Sequence, residues 1–218
     1  MVGLVFLSFA PWLRGVAAPL RLPPGQSIRV AVVVTTGATL IDFAGPWEVF
    51  QDAQISGFGG FELYTVSDSI DPIKTSAGMT VVPAYSFQNA PDPHVVVVGA
   101  QGGNSPALFE WLRRQAAHAD VLMSVCTGAS KLAAAGLLDG KESATHHDFV
   151  DALGRRYPHV RFVGGKRFVQ ADPVILTAGG LTSGIDAALH VVERSFGREV
   201  DQRTADYMEY EGTGWKEE

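Results

Sequence analysis

VLMSVCTGASKLAAAG, Val121 to Gly136, is the stretch that decides the fold. Its first five residues, Val121, Leu122, Met123, Ser124 and Val125, are apolar or small and read as a short buried strand. Cys126 follows, and Thr127-Gly128-Ala129-Ser130 opens an Ala-rich helical run that closes at Gly136. This is the layout of a nucleophile elbow, where a sharp strand-to-helix turn lifts one side chain clear of the sheet. The backbone doubles back at such a turn and leaves little room, a demand that Gly128 and Ala129 meet. A helix N-terminus beside Cys126 offers unpaired N–H groups and partial positive charge, so the thiolate is expected to be favoured. An inert buried cysteine is the plain alternative. The strand–Cys–small–helix context favours a catalytic one.

Working outward, continuous β-branched runs flank the elbow. Ile28 to Val34 and Val95 to Val98 read as strands buried on both faces, as in a parallel sheet. Phe61 to Ser67 alternates as another strand, Lys74 to Val82 reads as a short hairpin, and Val174 to Thr177 as a further buried strand. Helices are expected from Pro46, with Trp47, Val49, Phe50 and Ala53 as its stripe, over Pro106 to His118, and over Ser183 to Phe196. Ser183-x-x-Asp186 suggests a capping box for the last of these, and His190 falls among apolar neighbours as a structural residue. Glu142 to Thr145 reads as a short strand carrying His146 and His147 at its carboxyl end. Val160 to Phe162 and Lys166 to Val169 read as a hairpin across Gly164-Gly165. The tail, Val200 to Trp215, is partly helical. Strands alternating with helices give an α/β sandwich with a mostly parallel sheet.

Composition narrows the function. The chain has 218 residues, 46% hydrophobic and 18% charged, which suits one folded α/β domain. A formal charge of −6 argues against a nucleic-acid role, which needs basic surface. The basic cluster Arg155, Arg156, Arg161, Lys166 and Arg167 is explained as edge-strand protection. One cysteine forms no internal disulfide. No run reaches the ~18 apolar residues of a membrane span. Residues 1–27 form an arm. Met1 to Pro11 is apolar and Val16-Ala17-Ala18 resembles a cleavage site, but no positive charge precedes the apolar run as a secretory signal requires. Cytoplasmic residence is therefore expected, with export the alternative if residues 1–18 act as a signal. The α/β domain is read as residues 28–218.

Three candidate residues fall at the ends of different strands: Asp42, Cys126 and His146. In an open parallel sheet these ends are where ligands bind. A cysteine that attacks, an acid that moves protons and backbone donors that steady charge form a coherent set. Asp42 lies in the connection ahead of the first helix, where helix capping is the commoner role on local grounds. The turn Gly99-Ala100-Gln101-Gly102-Gly103-Asn104 lacks a phosphate-loop pattern and suits a backbone-donor loop facing the elbow. His146 and His147 are adjacent, so their side chains are expected to diverge, and no zinc spacing is present. No metal and no cofactor are expected.

These residues carry a resemblance. IDFAGPWEVF (Ile41–Phe50), SVCTGA (Ser124–Ala129), AGLLDGKESATHH (Ala135–His147) and TAGGLTSGIDAAL (Thr177–Leu189) are together similar to the ThiJ/PfpI superfamily, whose fold belongs with the class I glutamine amidotransferases. The resemblance runs from about Ile28 to Trp215 and implies a three-layer, flavodoxin-like α/β sandwich. D-x-x-G-P, V-C-T-G and L-T-x-G-I-D look like the isonitrile hydratase branch, and equally like the ligand-sensing half of some AraC-type regulators. The resemblance implies that Cys126 is the nucleophile and that Asp42 is the acid hydrogen-bonded to its thiol, with a raised pKa. It implies that Thr127 lines an oxyanion site with its N–H and hydroxyl. Gly99, Ala100, Gln101 and His146 would line the substrate pocket. Thr127 replaces the histidine that follows the cysteine in protease-like and glyoxalase-like branches, which speaks against a peptidase. Gly99-Ala100-Gln101 replaces the usual P-G-G loop, which leaves the substrate open.

Three functions compete. The first is a cofactor-free lyase that hydrates small isonitriles to N-substituted formamides, working on a small molecule with no nucleic-acid or membrane partner. The second is glyoxalase-like aldehyde chemistry through a hemithioacetal on Cys126. The third is a non-catalytic ligand or redox sensor, since accessible low-pKa thiols oxidise readily. A DNA-binding regulator needs a helix-turn-helix domain, and no such segment is read in this chain. Superfamily members commonly dimerise, which implies a homodimer.

Overall fold

The valine-rich runs lie side by side, each supplying both faces of one sheet. The computed structural model describes residues 26–53, 55 and 60–216, so the reading of the arm lies almost wholly outside the described residues. In chain order the strands are Ile28–Val33 (β1), Phe61–Ser67 (β2), Ile73–Lys74 (β3), Thr80–Val81 (β4), Tyr85–Ser86 (β5) and Val95–Val98 (β6). Val121–Ser124 (β7), Glu142–Ala144 (β8), Arg161–Val163 (β9), Phe168–Gln170 (β10) and Ile175–Ala178 (β11) follow. Seven of them form the main sheet in the order β10-β11-β7-β6-β1-β2-β5, parallel throughout except for the β10–β11 pair.

Alternation along each strand splits the core in two. Val30 and Val32 of β1, Val95 and Val97 of β6, and Val121 and Met123 of β7 face one apolar cluster. Ala31, Val33, Val96, Val98 and Leu122 face the other. The first cluster is covered by helices Leu40–Gln51 (α1) and Ser183–Phe196 (α5), with Ala205 from Arg198–Tyr207 (α6). Leu108, Trp111 and Leu112 of Pro106–Ala116 (α2) cover the second, with Ala129, Leu132 and Ala133 of Ala129–Ala134 (α3) and Leu153 of Val150–Arg156 (α4). The result is a three-layer α/β sandwich, and this is why the strands read as unbroken apolar runs.

Three local expectations give way. Helix α1 begins at Leu40, so Asp42 occupies its first turn and Pro46 lies inside it. Gly164-Gly165 does not close a hairpin: β9 pairs in parallel with β8 in a separate two-stranded sheet, and β10 joins the main sheet against β11. A packed face for each strand outweighed the turn signal. Ser183 and Asp186 form no capping box either, because Thr182 is the residue ahead of α5 and no side chain caps it. The Asp186 carboxyl instead pairs with Arg167 and accepts from the Tyr210 hydroxyl at 3.2 Å, tying the tail to the sheet. His190 is structural as expected, stacked on Phe168 with ring centroids 4.8 Å apart.

Sheet order places the carboxyl ends of β1, β6, β7 and β11 next to one another. Val33 registers with Val98, Val98 with Ser124, and Ser124 with Thr177. The connections leaving these four strands therefore meet at one edge, where α/β sheets bind ligands.

Candidate active site

Cys126 stands directly past the end of β7 with φ 59°, a left-handed conformation that non-glycine residues seldom hold. The surroundings over-determine it. The Val125 N–H continues the ladder to the Val98 carbonyl at 2.9 Å, the Cys126 N–H donates to the Gly179 carbonyl at 2.8 Å, and the Gly128 N–H donates to the Val125 carbonyl at 2.9 Å. The buried Thr145 hydroxyl donates to the Cys126 carbonyl at 3.0 Å. Gly128 is needed at its place, since a Cβ there would run into the Val98 carbonyl oxygen and the Gly99 backbone.

Asp42 comes to this point from the first turn of α1, entirely closed to water. Its Oδ2 accepts the Ala100 N–H at 2.9 Å. Gly99 lets it in: a Cβ at Gly99 would lie 2.7 Å from Asp42 Cβ. Oδ1 has no regular hydrogen-bond partner among the described residues. The carboxyl and the Cys126 thiol are nevertheless close enough for each to shift the other's ionisation.

The electrostatics depart from the sequence expectation. Burial pushes the Asp42 carboxyl up to about 6, against the lowering influence of the Ala100 N–H, the thiol and the His146 ring. A carboxyl raised enough to remain a proton donor was expected; it is raised, but at about 6 it lies below neutral pH. The thiol was expected to be low, yet burial, followed by the adjacent Asp42 charge, pushes Cys126 up to about 11. Backbone N–H groups of Thr127 and Leu181 oppose this without winning. The helix meant to supply the field is short, with Cys126–Gly128 a 3₁₀ turn and α3 only six residues. With Cys126 only 6% exposed, desolvation outweighs so small a dipole. Both groups are thus raised by burial, the thiol to the higher value, and the two titrate as a coupled pair.

The loop Gly99-Ala100-Gln101 was expected to present donors to a substrate. Instead the Ala100 N–H is committed to Asp42, and Gln101 Oε1 accepts the Thr35 N–H at 2.7 Å and its hydroxyl at 3.0 Å. The loop braces the carboxyl and the β1–α1 connection. Thr127 sits half-buried beside the sulfur, its N–H turned to it. His146 lies near enough to lower the Asp42 carboxyl, with its Nδ1 accepting the Asp148 N–H at 3.3 Å. The histidines do not diverge: His146 and His147 stack with centroids 4.5 Å apart and an interplanar angle of 23°. Ligand atoms of His146, His147 and Asp148 lie within 4.8 Å of one another.

Thr145, Gly179 and Leu181 were not singled out by sequence reasoning. Leu181 is itself left-handed, with φ 50°, and is 44% exposed. No propensity signals a leucine in that conformation, and only contact across the sheet edge reveals the three.

Fold and site together define a doubly wound α/β protein with a cysteine on a strained elbow and a buried carboxyl beside it. The DJ-1/PfpI family model matches residues 28–194, and the chain belongs to that family. An isonitrile hydratase from Pseudomonas putida is 31% identical over 190 residues, covering 85% of this chain and 79% of that protein. The HTH-type transcriptional regulator GbdR of Pseudomonas aeruginosa is also 31% identical, over 79% of this chain but 48% of the regulator. Among solved structures, a ThiJ/PfpI family protein from Pseudomonas syringae superposes with a TM-score of 0.72 at 26% identity, covering 95% of this chain and 83% of that one. No helix among the described residues is long and apolar enough to cross a membrane.

Proposed function

We propose that the protein is a cofactor-free, cysteine-dependent hydro-lyase that converts a small isonitrile and water into an N-substituted formamide. The observation that supports this reading is the buried Asp42 carboxyl, braced by the Ala100 N–H at 2.9 Å, beside the Cys126 thiol on its left-handed elbow. An isonitrile carbon is both nucleophilic and electrophilic, so its hydration needs a sulfur that attacks and a proton delivered to that same carbon. Asp42, ionised at neutral pH, takes the thiol proton as sulfur bonds to the isocyano carbon, and returns it to that carbon. The product is a thioimidate, R–N=CH–S–Cys126. Water then adds to the C=N carbon, the C–S bond breaks, the proton returns to sulfur and R–NH–CHO leaves. The N–H groups of Thr127 and Leu181 steady the charge on sulfur during attack and departure. His146 lies at the edge of this site, and the protein works as a homodimer without metal. Similarity to the isonitrile hydratase of Pseudomonas putida supports the substrate class.

Purified protein incubated with cyclohexyl isocyanide should release the corresponding formamide. Absence of product, or product that persists in Cys126→Ala, refutes the reading. The similarity to GbdR supports a second reading, a ligand-sensing module without turnover. It predicts saturable binding of a small molecule with no covalent change at Cys126, which calorimetry and intact-mass measurement would separate. Glyoxalase-like chemistry predicts consumption of methylglyoxal instead.

A further inference from the structure

A cysteine at φ 59° returns to an ordinary conformation unless its backbone is held, because left-handed backbone is unfavourable for residues with a Cβ. Three of the contacts that hold Cys126 are main chain to main chain and indifferent to residue type. The fourth is a side chain. Thr145 follows directly after β8, is 1% exposed, and donates its hydroxyl to the Cys126 carbonyl at 3.0 Å across 19 residues of chain. Its own N–H is held by the Val163 carbonyl at 3.3 Å, so the hydroxyl is delivered from the small β8–β9 sheet, an element outside the main sheet. The carbonyl it grips belongs to the strained residue itself. We propose that Thr145 is a positioning residue, whose hydroxyl clamps the Cys126 carbonyl and keeps the nucleophile in its left-handed conformation against Asp42.

This inference rests on the reading of Cys126 as the reacting group, but not on any one substrate. Without the clamp, Cys126 relaxes, and its sulfur turns away from the Asp42 carboxyl and toward water. Burial and the Asp42 charge are the two leading causes of the high thiol pKa, so both are relieved together. Turnover and thiol reactivity then move in opposite directions. General destabilisation also exposes the buried thiol and lowers turnover, so the melting temperature and the Thr145→Ser variant are needed to separate the clamp from a loss of stability.

The test compares Thr145→Val, Thr145→Ala and Thr145→Ser with wild type. Three quantities are measured: thermal melting, the pH profile of iodoacetamide alkylation at Cys126, and formamide release from cyclohexyl isocyanide. In Thr145→Val and Thr145→Ala the alkylation midpoint should fall from about 11 by one pH unit or more, and kcat should drop about tenfold. Thr145→Ser, which keeps the hydroxyl, should stay within about threefold of wild type in kcat and hold the wild-type midpoint. Ser and Ala differ only in the hydroxyl, so that pair decides the matter if the valine variant does not fold. Equal profiles for Ser and Ala overturn the proposal, as does a valine variant with the wild-type midpoint. Failure of both Val and Ala to fold while Ser folds also overturns it, since the hydroxyl would then serve the whole fold. If wild type turns over no isonitrile, the function proposed above fails, and the alkylation profiles still judge Thr145.

Discussion

Asp42 and Ala100 lie 58 residues apart in the chain, yet the Ala100 N–H donates to Asp42 Oδ2 at 2.9 Å. That bond joins the first turn of α1 to the loop after β6 and fixes the direction of the carboxyl. One oxygen is held by the loop, and the other is left without a regular partner. A braced carboxylate beside a protonated thiol is a base waiting for a proton, and its consequences can be measured.

With Asp42 near 6 and Cys126 near 11, the productive free enzyme has an ionised carboxyl and a protonated thiol. The kcat/KM for an isonitrile should therefore rise through pH about 6 with a slope of one proton and stay level through the neutral range. A profile that rises only above pH 8 would mean that free thiolate, not the Asp42-assisted thiol, is the attacking species. In Asp42→Asn the thiol loses the neighbouring charge. Its alkylation midpoint should fall below about 11 while turnover is lost.

Cys126 exacts a stability cost through its φ of 59°, and that cost is separable from its chemistry. Glycine accepts this backbone freely and alanine does not, so Cys126→Gly should be more stable than Cys126→Ala by about 1 kcal/mol. Urea denaturation of the two inactive variants measures the difference. Equal midpoints would show that the residue relaxes once the sulfur is gone.

Gly128 faces the opposite constraint. A methyl group there would collide with the Val98 carbonyl and the Gly99 backbone, neither of which can yield without breaking the sheet edge. Gly128→Ala should cost about 3 kcal/mol or more and remove activity. Circular dichroism with urea titration checks the first outcome. A variant that melts like wild type would show that the elbow has slack.

Asp201, in α6, is fully buried with both carboxyl oxygens unpartnered among the described residues. Burial and the nearby Glu193 push it up to about 8, while Arg198 and Lys216 pull the other way. The folded state thus holds this proton more tightly than the unfolded chain, whose value is 3.8. Stability conferred by that proton is complete below about 4 and is lost as pH rises to about 8. Asp201→Asn should accordingly match wild type at pH 4 and exceed it at pH 9 by at least about 1 kcal/mol. The shallower fall between about 4 and 6 that Asp42 contributes should remain in this variant.

Much of this protein can be read before it folds. Uninterrupted valines in β1 and β6 mean burial on both faces, which only a parallel sheet covered by helices provides. The small residues after Cys126 mean a turn too tight for side chains. Misreadings came where two local signals competed. Pro46 suggested a helix start, but α1 begins six residues earlier, at Leu40. Gly164-Gly165 suggested a hairpin, and the strands beside it found partners elsewhere.

Residue order along the chain determined the layer architecture and the position of the elbow with Cys126, because periodicity and steric demand are local properties, whereas Asp42 and Thr127 were expected at the site only through the family resemblance. Tertiary structure alone decided that both the Asp42 carboxyl and the Cys126 thiol are desolvated and raised. Desolvation depends on everything packed around a group, and the bonds that aim Asp42 and restrain Cys126 come from Ala100, Thr145 and Gly179, partners that no local pattern brings together.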